Sequence, residues 1–131
     1  MKKTGILNKD LSETIAGIGH TDQLVICDAG FPIPSQSKRI DLALKPGLLP
    51  FLEVLDTVLQ ELEVEKIIIA EEMKQESPNQ LEKMIKRFPN LPAEFVPHVE
   101  FKEKSKQAKG IVRTGECIPY SNIILVAGVT Y

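Results

Sequence analysis

The side chains of this sequence that could carry out chemistry form a short set, once the charged residues of ordinary surface segments are set aside. The set is His20, Asp28, His98, Tyr120 and Asn122. A histidine titrates near neutral pH, and a carboxylate at the end of a buried strand is held rigidly enough for directed hydrogen bonding. These residue types indicate proton transfer and hydrogen bonding to a small polyhydroxylated ligand.

Nucleophilic and metal chemistry have weaker support. The chain has two cysteines, Cys27 and Cys117, and Cys27 lies inside an apolar run, where a reduced, buried thiol is the default. The cysteines and histidines lack Cys-x-x-Cys and His-Glu-x-x-His spacing, and no Ser-His-Asp arrangement is discernible. We therefore predict no metal site, no cofactor and no covalent intermediate.

A helix and a strand near the start of the chain must position His20 and Asp28. Either Asn8 or Asp10 is placed to cap an amphipathic helix that ends shortly before His20. The apolar run at 23–27 predicts a buried strand that ends at Asp28. On local chemistry alone, the simplest interpretation is a helix end followed by an ordinary core strand with polar ends.

The rest of the chain alternates between strand and helix patterns. The predicted strands are 39–44, 66–70, 94–101, 111–114 and 123–129, and the predicted helices are 51–62, 78–88 and 102–109. Within 94–101, alternation places His98 on the face opposite to Val99, and Glu71-Glu72 is interpreted as a solvated pair. The alternation predicts a three-layer α/β/α single domain, residues 1–131, with a parallel or mixed sheet.

Composition restricts the function further. The 16 basic and 18 acidic side chains leave a formal charge of −2 without a basic cluster interleaved with aromatics, so we predict no nucleic-acid partner. The longest apolar runs have the length of strands, and the N-terminal lysines are not followed by a long apolar core. We therefore expect no membrane span, no signal peptide and a cytoplasmic protein.

Several segments of the sequence resemble one known family. They read Gly-Ile-Gly-His-Thr-Asp at 17–22, Asp-Ala-Gly-Phe-Pro-Ile-Pro at 28–34, Val-Pro-His-Val-Glu-Phe at 96–101 and Gly-Glu-Cys-Ile-Pro-Tyr-Ser-Asn at 115–122. With these segments the chain closely resembles the D-ribose pyranase (ribose mutarotase) family, which is related to the L-fucose mutarotases. The resemblance covers essentially the whole chain.

The resemblance implies an isomerase of ribose catabolism that interconverts the β-pyranose and β-furanose forms of D-ribose, so that a kinase can use the furanose after uptake. It implies that His20 is the catalytic proton donor. The implied sugar-binding residues are Asp28, His98, Tyr120, Ser121 and Asn122. It also implies a cytoplasmic, ring-shaped homo-oligomer, a decamer, that needs no cofactor.

Two alternatives to this function stay open on the sequence. One is an L-fucose mutarotase, and the other is a non-catalytic ribose-binding accessory of the transport system, which would use the same residues. Geometry adds an expectation about assembly. A strand at 23–27 separates His20 from Asp28 by roughly 17–20 Å, too far for both to contact one pentose. We therefore expect each site to combine His20 of one subunit with Asp28 of a neighbour.

Overall fold

The computed structural model describes the whole chain, residues 1–131. Its helices are α1 Lys9–Gly17, α2 Phe51–Leu59, α3 Met73–Glu76, α4 Pro78–Ile85 and α5 His98–Ser105. Its strands are β1 Gln23–Cys27, β2 Arg39–Asp41, β3 Val64–Ala70, β4 Ala93–Val96, β5 Gly110–Arg113 and β6 Ile123–Ala127. No helix combines the length and the apolar character that crossing a membrane requires.

The strands form one mixed sheet with two chemically different edges. Its order is β2-β5-β1-β6-β3-β4, and β6 is antiparallel to both of its neighbours while the other paired strands are parallel. All strands other than β6 therefore end where β6 begins. We call this the cavity edge, which carries Asp28 and Asn122, and the opposite one the His20 edge, which carries His20 and Gly128.

Helices cover both faces of the sheet. Leu24 of β1 belongs to a cluster of 21 buried apolar residues, which takes in side chains of α1, α2 and α4. Val25 points to the other face, into a cluster of 8 that includes Phe101 of α5. Successive strand residues face opposite sides, so the apolar residues 24–27 of β1 contribute to both cores. The prediction of a three-layer α/β/α domain with a mixed sheet is confirmed.

The prediction of a strand over 94–101 is wrong in its second half. Strand β4 ends at Val96, Pro97 follows it in extended conformation, and α5 begins at His98. Proline lacks an N–H for the sheet and is well placed just before a helix. The Glu72 carboxylate then accepts the His98 N–H, at 2.9 and 3.0 Å for its two oxygens. The predicted helix 102–109 therefore starts too late.

Other element boundaries follow from local hydrogen bonds. The predicted cap of the first helix is confirmed, because Asn8 Oδ1 accepts the Leu11 N–H at 2.9 Å. The strand predicted over 39–44 ends at Asp41, whose Oδ1 accepts the Ala43 N–H at 3.1 Å and turns the chain away from β5. The last strand ends at Ala127, before its predicted end.

Candidate active site

An open cavity of about 420 Å³ lies at the cavity edge of the sheet. Its volume falls within the range of roughly 300–1,000 Å³ that is usual for small-molecule sites. The lining residues are Asp28, Gly30, Phe31, Pro32, His98, Lys102, Pro119, Tyr120 and Asn122. They come from the segments after β1 and β4 and before β6, which the strand order brings together at this edge.

Asp28 is held in place by its neighbours at the end of β1. Its Oδ1 accepts the Gly30 N–H at 3.0 Å, and its own N–H donates to Asn122 Oδ1 at 2.9 Å. Asn122 is 1% exposed, so this contact ties the end of β1 to the start of β6. Burial raises the pKa of Asp28 above its ordinary value, although hydrogen bonds from Gly30 and Asn122 act in the opposite direction. The carboxylate is therefore a better proton acceptor than an exposed one.

His98 is packed among aromatic rings. Its ring is 5.0 Å from that of Tyr120 and 6.0 Å from that of Phe31, both edge-on, and it stacks on Phe101 at 6.2 Å. Burial lowers the pKa of His98, and the positive charge of Lys102 lowers it further. Its Nδ1 is buried without a hydrogen-bond partner. Together with its place at the positive N-terminus of α5, these features favour a neutral imidazole.

The loop that carries Tyr120 is fixed by buried polar contacts. Ser77, directly before α4, makes no cap hydrogen bond to that helix and donates its hydroxyl to the Pro119 carbonyl at 2.7 Å. The buried carboxylate of Glu116 accepts the N–H groups of Cys117 and Ile118, each at 3.0 Å. Tyr120 itself has a φ of +60°, which is unusual for a residue with a side chain. Its ring orientation over the cavity therefore depends on a loop held in a strained conformation.

Lys102 is a cavity residue that the sequence did not reveal. It lies one turn after His98 in α5, so both side chains project from the same helix face toward the ligand space. The sequence pattern placed the helix start at Lys102, which hid this i,i+4 relation. A proline directly before His98 was the available signal, because proline favours a helix start at the following residue.

Ser121 occupies a different environment from the other predicted binding residues. It is fully buried, its hydroxyl has no hydrogen-bond partner, and it does not line the cavity. Its binding role stays a prediction. The free thiols also lie apart from the ligand space: Cys27 is buried against the Val112 carbonyl, and burial raises its pKa strongly. No group of three or more histidine, cysteine or acidic side chains has a metal-binding arrangement.

His20 lies at the opposite edge of the sheet from this cavity. It precedes β1, whereas Asp28 follows it, and the five residues of β1 span about 17 Å. The His20 side chain is 53% exposed, and its Nε2 is 2.9 Å from Glu65 Oε2. A single subunit therefore brings together Asp28, His98, Tyr120 and Asn122 but not His20.

Sequence comparison places these residues in a family context. The model of the RbsD / FucU transport protein family matches residues 1–130. The chain is 53% identical over 131 residues to the D-ribose pyranase of Geobacillus kaustophilus, covering 100% of this chain and 96% of that protein. It is also 53% identical to the D-ribose pyranase of Lactobacillus gasseri, with 100% of both chains covered.

Comparison with solved structures agrees with the sequence relatives. The structure of Bacillus subtilis RbsD complexed with D-ribose is 44% identical, with a TM-score of 0.96 and 100% of both chains covered. The fucose mutarotase of Streptococcus pneumoniae in complex with L-fucose is 26% identical, with a TM-score of 0.85, and the match covers 99% of this chain and 100% of that one. The likeness is greater to the ribose-bound protein.

Proposed function

Because the chain belongs to the RbsD / FucU transport protein family, we propose that it is a D-ribose pyranase that interconverts the β-pyranose and β-furanose forms of D-ribose. The observation that carries this proposal is the cavity in which Asp28, His98, Tyr120 and Asn122 converge. It offers carboxylate, imidazole, phenol and amide groups to a sugar of many hydroxyls. The ribose complex of the B. subtilis relative supports ribose as the ligand.

The proposed reaction needs proton transfer only. A general acid protonates the ring oxygen of the pyranose while a base takes the proton of the anomeric hydroxyl, and the ring opens to the aldehyde. The hydroxyl on C4 then attacks the aldehyde carbon and closes the furanose, and the two proton transfers run in reverse. The sugar is neither oxidised nor reduced and exchanges only protons with the protein, so the reaction requires neither a cofactor nor a covalent intermediate.

The cavity residues have properties that suit distinct parts of this reaction. Asp28, which lines the cavity and has a raised pKa, is the proposed proton acceptor, and neutral His98 serves as a hydrogen-bonding partner. Asn122, Tyr120 and Lys102 offer amide, phenol and ammonium donors to sugar hydroxyls. Phe31 supplies an apolar wall against a sugar face.

The proton donor His20 comes from a neighbouring subunit in this proposal. The separation of roughly 17 Å between His20 and Asp28 within one chain supports a shared site. A head-to-tail interface that repeats around a closed ring would bring the His20 edge of one subunit to the cavity edge of the next. The proposed assembly is a ring-shaped homo-oligomer, a decamer, that works in the cytoplasm, where a kinase consumes the furanose.

A second candidate function is that of an L-fucose mutarotase, which the likeness to the S. pneumoniae protein favours. A third is a non-catalytic ribose-binding accessory of transport. Saturation-transfer NMR of D-ribose and L-fucose, with and without the protein, separates the three because it measures ring-form exchange directly. We expect faster exchange for ribose than for fucose. A larger effect on fucose would favour the second candidate, and binding without exchange would favour the third.

A further inference from the structure

A glutamate pairs with His20 at the edge of the sheet opposite the cavity. Glu65 Oε2 lies 2.9 Å from His20 Nε2, although the two residues are 45 positions apart in the chain. At this distance the imidazole Nε2 donates a hydrogen bond to the carboxylate. Glu65 lies just before the apolar run of its strand and has no motif around it, so sequence patterns did not select it.

The backbone of β3 is irregular at Glu65. Val64 pairs with Ala127 of β6 and Lys66 with Val126, so Glu65 is an extra residue that has no partner on β6. Such a bulge bends the strand and turns the side chain of the extra residue away from the regular alternation. The bulge is therefore what directs the Glu65 carboxylate toward His20.

The backbone next to His20 is irregular as well. Thr21 has a φ of +68°, a value that a β-branched residue adopts only when its surroundings enforce it. The Thr21 N–H donates to the Ala127 carbonyl at 2.9 Å, and Asp22 Oδ2 accepts the Gly19 N–H at 2.9 Å. The strained turn is thus hydrogen-bonded to the end of β6 that also pairs with the bulge. The backbone therefore positions both His20 and Glu65 for their contact.

We propose that Glu65 is a positioning residue for His20, which holds the Nε2–H so that Nδ1 is the nitrogen that exchanges protons with the sugar. The proposal rests on the proposed function of His20. In the neutral imidazole with Nε2–H bound to Glu65, Nδ1 carries a free lone pair, and in the imidazolium it carries a proton. Both states keep the bond to Glu65, so the ring does not have to turn between them.

This arrangement fits both halves of the reaction. On opening, Nδ1–H gives its proton to the ring oxygen, while the base in the cavity takes the proton of the anomeric hydroxyl. On closure to the furanose, Nδ1 takes the proton of the C4 hydroxyl as its oxygen bonds to C1, and the base returns its proton to the anomeric oxygen. Every proton is accounted for, and His20 ends as it began. A single nitrogen must act first as donor and then as acceptor, which requires that Nδ1 stay free.

The first test is kinetic and uses the assembled full-length protein. Glu65→Ala removes the acceptor, Glu65→Gln keeps an oxygen that can accept the Nε2–H, and Glu63→Ala is a matched control at a nearby exposed glutamate. We expect Glu65→Ala to lower the kcat of ribose ring-form exchange by roughly 10- to 100-fold, with KM changed by less than about 3-fold. Glu65→Gln should recover most of the loss, and Glu63→Ala should behave as wild type.

The second test reads the ring directly. In ¹⁵N-labelled protein, the nitrogen chemical shifts of neutral His20 distinguish a proton on Nε2 from one on Nδ1. We expect the Nε2–H form in the wild type and in Glu65→Gln, and a mixture of the two forms in Glu65→Ala. This readout does not depend on activity.

Two results would overturn the proposal. One is wild-type kcat in folded, assembled Glu65→Ala, and the other is a wild-type protein in which neutral His20 carries its single proton on Nδ1. Full activity in a folded His20→Ala protein would instead contradict the proposed role of His20 as proton donor, and with it the proposed proton exchange at Nδ1. In that case the nitrogen shifts would still decide whether Glu65 orients the ring.

Discussion

The two edges of the sheet hold their histidines in opposite ways. At the cavity edge, His98 is enclosed by aromatic rings, and the neighbouring Asp28 and Asn122 are hydrogen-bonded to each other. At the other edge, His20 and Glu65 pair at the surface with about half of each side chain exposed. One subunit thus forms the cavity by itself, and its proposed proton donor is exposed at the other edge.

Both edges share one backbone feature. The only non-glycine residues with positive φ in this structure are Thr21, which follows His20, and Tyr120, which lines the cavity. Each such residue costs of order 1–3 kcal/mol and persists only where surrounding contacts enforce it. We infer that these two conformations serve to position the proposed functional side chains of His20 and Tyr120.

The largest effect should come from removing the donor at the exposed edge. His20→Ala is expected to slow ring-form exchange by about 10²- to 10⁴-fold, because the general acid is lost. The melting temperature should change little, since within one chain the His20 side chain is 53% exposed and fills no part of the core. Saturation-transfer NMR measures the rate of ring-form exchange, and calorimetry measures the melting temperature. Unchanged exchange in the folded variant would contradict the assignment and favour the transport-accessory function.

A mixing experiment tests whether the two edges meet between subunits. His20→Ala and Asp28→Ala proteins, each inactive, are unfolded and refolded together in equal amounts. About a quarter of randomly formed interfaces then join an intact His20 to an intact Asp28, so a similar fraction of activity should return. Mass spectrometry confirms that mixed rings have formed. Mixed rings as inactive as either parent would show that the two residues do not share a site.

Removing a carboxylate should lower the free energy of unfolding much more at the cavity edge than at the His20 edge. Glu116, behind the cavity, is buried and accepts the N–H groups of Phe51, Cys117 and Ile118. Glu116→Ala leaves these donors without a partner and should lower the free energy of unfolding by about 2–4 kcal/mol. Glu65→Ala, at the exposed edge, should change it by less than about 0.5 kcal/mol.

Denaturant titration at one protein concentration measures both variants, because assembly makes apparent stability depend on concentration. Equal decreases in the free energy of unfolding for Glu116→Ala and Glu65→Ala would mean that the Glu65 carboxylate contributes as much to stability as the buried Glu116 carboxylate. That result would also weaken the interpretation of Glu65 as a positioning residue, since a structural role would explain its contact with His20.

The sequence predicted those parts of the molecule that local patterns determine. The apolar run of β1 and the Asn8 cap of α1 are local, and both are confirmed. The motifs also selected Asp28, Tyr120 and Asn122, which the strand order brings to one cavity. That order was not predicted, because it depends on β6 inserting between β1 and β3 from the end of the chain.

The misses involve contacts between distant segments. The Glu72 carboxylate contributes to the early start of α5 by binding the His98 N–H from the end of β3, and this shift hid Lys102. Glu65 reaches His20 through a bulge that no composition signal marks. Glu116 lies in a loop of the sequence, yet it is buried, and its carboxylate accepts N–H groups from two backbone segments, at Phe51 and at 117–118. Local propensity carries no information about such partners.

The smallest expected effect concerns the charge of His98. Its pKa is lowered by burial and by Lys102, so just below its ordinary value of 6.5 the unfolded chain binds a proton there that the folded protein does not. The contribution of this group to the free energy of unfolding is therefore fully present above pH 6.5 and is lost as pH falls below that value.

Asp28 acts with the opposite sign, because its raised pKa makes the folded state bind a proton more readily than the unfolded state. His98→Gln should therefore flatten the fall in melting temperature as pH drops below 6.5, and Asp28→Asn should steepen the fall in the more acidic range where the carboxyl of Asp28 takes up its proton. Thermal melts of the assembled proteins across both pH ranges provide the measurement. A wild-type slope in His98→Gln would mean that the buried imidazole titrates as it does in the unfolded chain, and the neutral hydrogen-bonding role given to it at the cavity edge would then be wrong.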